Sequence, residues 1–255
     1  MATWICHLRV AEKIASELPG LDRSAFYAGS LTPDSGIPND TWTEFTPPKE
    51  ITHFLVKGEG NEAIHDLEFY HTYLKKQPGK LFDADTSFRW GYYFHLLTDI
   101  LWVNLIWTPT RLICADMIAE IGKLAMVDRV KSDWYGLDHR FLRDNPGWEP
   151  WQRILSLELT GIPINHIPLS AVTAQLDLIR SYYTDPEPGR VLERPFPYLN
   201  EATMQRAAMD CAAACLKLYH RLQSGVELDG AVSATAWLSA AERQAYSAPL
   251  GDIIE

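Results

Sequence analysis

From Trp4 to Leu18 the apolar residues Leu8, Ala11, Ile14, Ala15 and Leu18 recur at helical spacing, and Pro19-Gly20 ends the run. The pattern predicts a first helix with His7 near its start. Residues 26–53 hold prolines at 33, 38, 47 and 48 and glycines at 29 and 36, with no sustained period, which predicts a long loop. Its aromatics Phe26, Tyr27, Trp42 and Phe45, with Phe54 just beyond, favour a loop ordered across a site, because disordered segments are poor in such residues. A helical segment is predicted near 61–76, before Gln77-Pro78-Gly79. A longer one runs over 86–107 with Phe88, Tyr92, Leu96, Ile100 and Val103 inward, as the centre of the core. Helical patterns recur near 110–123, 125–143, 148–160, 168–183, 200–223 and 233–245. Almost nothing alternates with period two, so the expectation is an all-α fold: a single multi-helix domain over 1–255.

Composition narrows the class without naming a chemistry. With 255 residues, 47% hydrophobic and 22% charged, the chain can bury a sizeable core as one large domain. No apolar run approaches the roughly 20 residues of a membrane span. Charges at Arg9, Glu12 and Lys13 and the lack of a basic leader argue against a signal peptide, so a cytoplasmic protein is expected. Cys6, Cys114, Cys211 and Cys215 form no CxxC pair, which predicts reduced, mostly buried thiols rather than a disulfide framework or a thiolate zinc knuckle. A net charge of −10 works against nucleic acid as a partner. Nucleophile elbows, phosphate-cradling glycine loops and dinucleotide fingerprints are absent, leaving a metal as the one cofactor with support.

That support begins in GYYFHLLTD, where His95 and Asp99 stand four apart and share one helix face a turn from each other. Zinc accepts imidazole nitrogen and carboxylate oxygen, so the pair supplies half a tetrahedral shell. By itself it reads equally well as a core histidine beside an ion-paired aspartate. Further candidates are His53 in ITHFL, Asp34 in LTPDSG and His7 in ICHLRVA. Asp133 and Asp138 in SDWYGLDHRF are candidate extra ligands, or partners that orient a ligand histidine, and His139 beside Arg140 reads as surface. The aromatics Trp42, Phe54, Trp90, Tyr92, Tyr93, Trp102 and Trp134 fit either the wall of a pocket for an apolar or quaternary-ammonium group or ordinary core packing.

Taken in order, HLRVAEK, PDSGIPN, FTPPK, THF, GYYFHLLTDI and DWYGLD resemble the zinc-dependent phospholipase C family, closest in its intracellular branch, which is related in fold to S1/P1 nucleases. The resemblance covers roughly residues 4–145, and residues 148–255 read as a helical C-terminal part. It implies a zinc ion held by Asp34, His53, His95 and Asp99, with His7 and a bridging Asp99 as the place for a second. It also implies that Asp34 acts as general base or water-orienting carboxylate in hydrolysing a small phosphodiester or phospholipid headgroup, with ion-activated water as nucleophile. Departures count against a full three-ion cluster. The secreted enzymes ligate through an N-terminal tryptophan, whereas Trp4 is internal; a histidine expected after the helical aspartate is replaced by Asn104, Leu105 and Ile106; and no downstream HxxxE follows. A catalytically silent metal-binding relative is therefore the main alternative. An HD-type phosphohydrolase using His53, His65-Asp66 and Asp99 leaves Asp34 and His95 unexplained, and the acidic balance opposes a nuclease.

Overall fold

The first turn of the chain's first helix, α1 (Trp4–Glu17), is closed by Thr3, whose hydroxyl accepts from the Cys6 amide at 3.3 Å. The predicted apolar positions Leu8, Ala11, Ile14, Ala15 and Leu18 are all buried, and over Ile5 to Ala11 the burial extends round the whole helix. The computed structural model describes residues 1–41, 44–75, 83–184, 190–226, 229–239 and 242. Over these the chain is mostly helical, with one small two-stranded ladder pairing Ile37 with Thr46 and Pro38 with Phe45. None of the described helices is long and apolar enough to cross a membrane.

The predicted loop over 26–53 starts later than expected. Helix α2 (Arg23–Leu31), capped by Asp22, occupies its first part and runs into a 3-10 turn at Thr32–Asp34. Phe26, Tyr27, Ala28 and Leu31 are fully buried, so from Phe26 to Leu31 this helix is covered all round and shows no amphipathic stripe for a periodicity argument to find. Only after Asp34 do the ladder and the short helix α3 (Lys49–Thr52) fill the breaker-rich stretch. The predicted helix at 61–76 contracts to a 3-10 turn at Asn61–Ala63 and α4 (Asp66–Tyr73); residues 76–82, with their Pro-Gly, lie outside the described residues.

Helix α5 (Ala84–Trp102) is the centre of the core, with every residue from Trp90 to Trp102 buried. Gly29 on α2 and Gly91 on α5 let the two backbones touch. A Cβ on Gly29 would sit 2.0 Å from the Phe88 carbonyl oxygen, and one on Gly91 2.0 Å from the Phe26 carbonyl oxygen. The stretch that reads as one helix to residue 107 passes into a π turn at Val103–Trp107, where the Thr108 amide reaches back to the Val103 carbonyl. Pro109, with no amide hydrogen to give, follows in α6 (Thr108–Ile113). Then come α7 (Ala115–Ile121) and, after Gly122 at φ +83°, α8 (Lys123–Asp144). Helices α9 (Glu149–Ser156), α10 (Leu169–Thr184) and α11 (Glu201–Gln223) lie close to their predicted ranges, and α11 packs on α1 and α5. Of the helix predicted near 233–245, the described part is a 3-10 turn at Ala234–Trp237.

Neither glycine clash can be relieved by a rotamer change, because the atom in the way is backbone. Gly91→Ala is expected to lower unfolding stability by roughly 2–4 kcal/mol, read from the urea midpoint. Gly147→Ala, with nothing within 4 Å of the added carbon, serves as the control and should move the midpoint little.

Candidate metal centre

The centre starts from an orphan carbonyl. The last four carbonyls of a helix lack intrahelical partners, and that of Ser30, in the final turn of α2, receives the Nδ1 proton of His95 at 2.8 Å. With Nδ1 donating, Nε2 carries the lone pair and points inward. Asp99 stands one turn further along α5 on the same face. Asp34 ends the 3-10 turn that continues α2, so one helix both orients His95 and delivers Asp34. His53 follows α3, and the next residue, Phe54, has φ +54°, a left-handed conformation costing about 1–2 kcal/mol for a non-glycine residue. The Phe54 ring offsets this by packing edge-on against Phe69 and His166 at 5.6 and 5.2 Å.

Four side chains converge. His53 Nε2 lies 3.4 Å from Asp34 Oδ1, 3.6 Å from Asp99 Oδ2 and 3.3 Å from His95 Nε2. His95 Nε2 lies 3.9 Å from both Asp34 Oδ1 and Asp99 Oδ2. Nitrogen and oxygen ligands about 2.0–2.1 Å from a tetrahedral zinc stand about 3.3–3.4 Å from each other. Asp34, His53 and His95 are thus a group close enough to share a metal ion, slightly open around His95, with Asp99 beside both histidines.

Asp99 faces two ways. Its Oδ2 belongs to this cluster, while Oδ1 accepts from the Ala2 amide at 3.0 Å and lies 3.4 Å from His7 Nε2. His7 stacks on His95 with ring centres 3.8 Å apart and planes 8° from parallel. It is buried, and neither of its ring nitrogens has a hydrogen-bond partner. Leaving such atoms unpaired costs about 1–3 kcal/mol each, and a cation at His7 and Asp99 would satisfy one of them. His7, His95 and Asp99 make a second group close enough to share an ion, but His95 has one free nitrogen and can serve only one of the two.

The electrostatics call for positive charge. Burial opposes ionisation of Asp34, yet the hydrogen bond to His53 and the nearby His95 hold its carboxyl below the ordinary range. Burial likewise opposes ionisation of Asp99, and the Met1 amino group and His7 overcome it. Burial, with His7 adding to it, pushes His95 down to about 3, and burial lowers His53 also. Two ionised carboxylates among neutral imidazoles form the donor set of a divalent cation and are costly without one.

Three further residues support the cluster and carry no role in the motif reading. Trp4 Nε1 donates to Asp34 Oδ2 at 3.0 Å, Asn61 Nδ2 donates to Asp99 Oδ2 at 2.9 Å, and Lys49 Nζ donates to Asn61 Oδ1 at 2.8 Å. Trp4 precedes His7 by three on α1, a spacing that puts both on one face; Asn61 carries no such signal. A cavity of about 110 Å³, lined by Pro33, Asp34, Phe45, Pro47, Lys49 and His53, opens beside the cluster.

Other candidates lie elsewhere. The Asp133 carboxylate accepts from Arg194 Nη1 at 2.5 Å and the Tyr198 amide at 2.8 Å, pinning the segment before α11. Asp138 accepts from Thr3 Oγ1 at 2.9 Å and Tyr183 OH at 2.7 Å, so it holds the cap of α1; burial pushes it up to about 7. Among the described residues neither joins a group able to share an ion, and nor does His65 or Asp66. Asp66 instead accepts from Tyr93 OH and the Ala234 amide. His139, read as surface, is buried against Tyr182 and Tyr183, because α10 covers that face of α8. Trp90, Tyr92, Tyr93, Trp102 and Trp134 are core residues rather than a pocket wall, Phe54 is partly buried, and Trp42 lies outside the described residues. All four cysteines are free and buried.

If the site holds a divalent ion, Asn61→Ala, which leaves the candidate ligands intact, is expected to weaken its binding about 10- to 100-fold in a competitive chelator titration. Asp138 provides a pH test. Its folded pKa lies above its unfolded value, so folding takes up a proton there, and the associated stability is present at about pH 4 and lost as pH rises through 7. Asp138→Asn should remove that dependence, gaining on the order of 1–3 kcal/mol relative to the parent protein between those limits in urea melts.

Compared with protein-family models, with curated proteins and with solved structures, the chain matches none.

Proposed function

We propose that the chain, as one domain over 1–255, is a zinc-dependent hydrolase of phosphodiesters on the plan of the zinc-dependent phospholipase C family. The observation that carries the reading is that Asp34, His53 and His95, from three separate family-like motifs, lie close enough to share one cation, with Asp99 beside both histidines. His53 and His95 would hold zinc through neutral Nε2 atoms, and Asp34 and Asp99 through carboxylate oxygens. His7 with Asp99 marks the place for a second ion.

Bound zinc supplies a Lewis acid that acidifies water and offsets charge developing on a phosphoryl group. The protein's part is positioning. Trp4 ties down Oδ2 of Asp34 and leaves Oδ1 toward the cluster, where it would face the ion and orient a water beside it. Lys49, whose ammonium is largely buried at the cavity wall and is made easier to deprotonate by that burial, offers a positive partner for the substrate's non-bridging oxygens. A phosphodiester of a small alcohol or a phospholipid headgroup fits this lining.

A second reading has its own support. Four protein ligands complete a tetrahedral shell, and zinc sites closed in that way are structural. The chain would then be a catalytically silent metal-binding relative. Zinc-loaded protein is expected to hydrolyse bis(p-nitrophenyl) phosphate, with His95→Ala reducing turnover to the uncatalysed background and the exposed change Lys57→Ala leaving it unaltered. Stoichiometric zinc without turnover selects the silent reading; protein that retains no zinc or other divalent metal after loading sinks both.

A further inference from the structure

Between α1, the last turns of α8, the 190–200 segment and the start of α11 lies a cavity of about 700 Å³ that shares no lining residue with the metal centre. Three guanidinium groups, those of Arg9, Arg140 and Arg194, line it. Arg9 lies over the Phe141 ring at 4.5 Å, and Arg194 and Arg140 lie over Phe196 at 4.4 and 5.9 Å. Gly136 makes this possible, since a Cβ there would sit 2.7 Å from the Phe196 ring and 3.2 Å from Arg194 Nη2.

The charges do not balance. Arg194 is paired with the buried Asp133 at 2.5 Å, and Arg140 only loosely with Glu201, at 3.3 Å, whose side chain is 58% exposed. The Arg140 Nε is buried and has no hydrogen-bond partner. Arg9 is 5% exposed, and its hydrogen-bond partner is the neutral amide of Gln205; no carboxylate pairs with it among the described residues. A buried guanidinium with no carboxylate at ion-pair distance is costly, and more notable in a chain of net charge −10. The amino end of α11, capped by Asn200, adds its positive dipole to the same cavity.

We propose that this cavity binds a small phosphate-bearing molecule. Planar guanidinium forks held rigid on aromatic rings match the paired oxygens of phosphate, and the volume lies in the range of small-molecule sites. The phosphate takes the place of Glu201, which swings into solvent, and receives the free Nε of Arg140 together with Arg9.

Pyrophosphate is the probe, titrated calorimetrically into the full chain at ionic strength matched with sodium chloride. Saturable binding is expected, weakened at least tenfold by Arg140→Gln and tightened at least threefold by Glu201→Gln, with circular dichroism showing both variants folded. Asp34→Asn should leave the affinity unchanged, which separates this site from anion capture at the metal centre and keeps the outcome independent of the proposed activity. Absence of saturable binding, indifference to both Arg140→Gln and Glu201→Gln, or loss of binding in Asp34→Asn overturns the proposal. Citrate binding more tightly than pyrophosphate overturns the phosphate assignment.

Discussion

Where α2 crosses α5, each backbone occupies the volume that a side chain on the other would need, and these approaches of Gly29 to Phe88 and of Gly91 to Phe26 set the geometry of the candidate centre. They bring the carbonyl of Ser30 within reach of His95 Nδ1, which fixes the ring's tautomer and turns Nε2 inward. The same helix continues into the turn that carries Asp34. Two of the four converging side chains are thus positioned by one helix crossing, and Asp99 follows from His95 by a single turn of α5.

The remaining contacts converge on Asp99 and Asp34 from other parts of the chain. Helix α1 supplies Trp4 to one carboxylate and His7 beside the other, while Asn61 joins Asp99 to Lys49. Behind α1, Asp138, itself held by Tyr183, accepts from Thr3, so a carboxylate outside the cluster anchors the cap of the helix that carries His7. The price is a core containing ionised carboxylates, neutral imidazoles and an unpaired histidine, which local propensity would not select. Conflicts of that kind between local rules and the whole fold mark functional sites.

The long helices α8 and α11 were legible because each has one inward face, and α1 because its second half keeps that spacing and Pro19-Gly20 closes it. Helix α2 was not, because from Phe26 to Leu31 it is buried without a break and its glycine reads as a breaker. His139 reads as surface beside Arg140, yet α10, distant in sequence, covers it. The aromatics near the motifs read equally as pocket or core, and only packing separated the two.

By itself the sequence determined the helical class, the shared face of His95 and Asp99, and the set of histidines and aspartates from which a metal centre could be drawn, since these follow from side-chain period and residue chemistry. Tertiary structure alone decided that Asp34 and His53 meet His95 while His7 and Asp99 meet it from the other side, that Trp4 and Asn61 bond to the two aspartates, and that Asp133 and Asp138 turn to Arg194 and Thr3 instead. Those outcomes depend on helix crossings and chain reversals between residues far apart in sequence, and no local period encodes such distances.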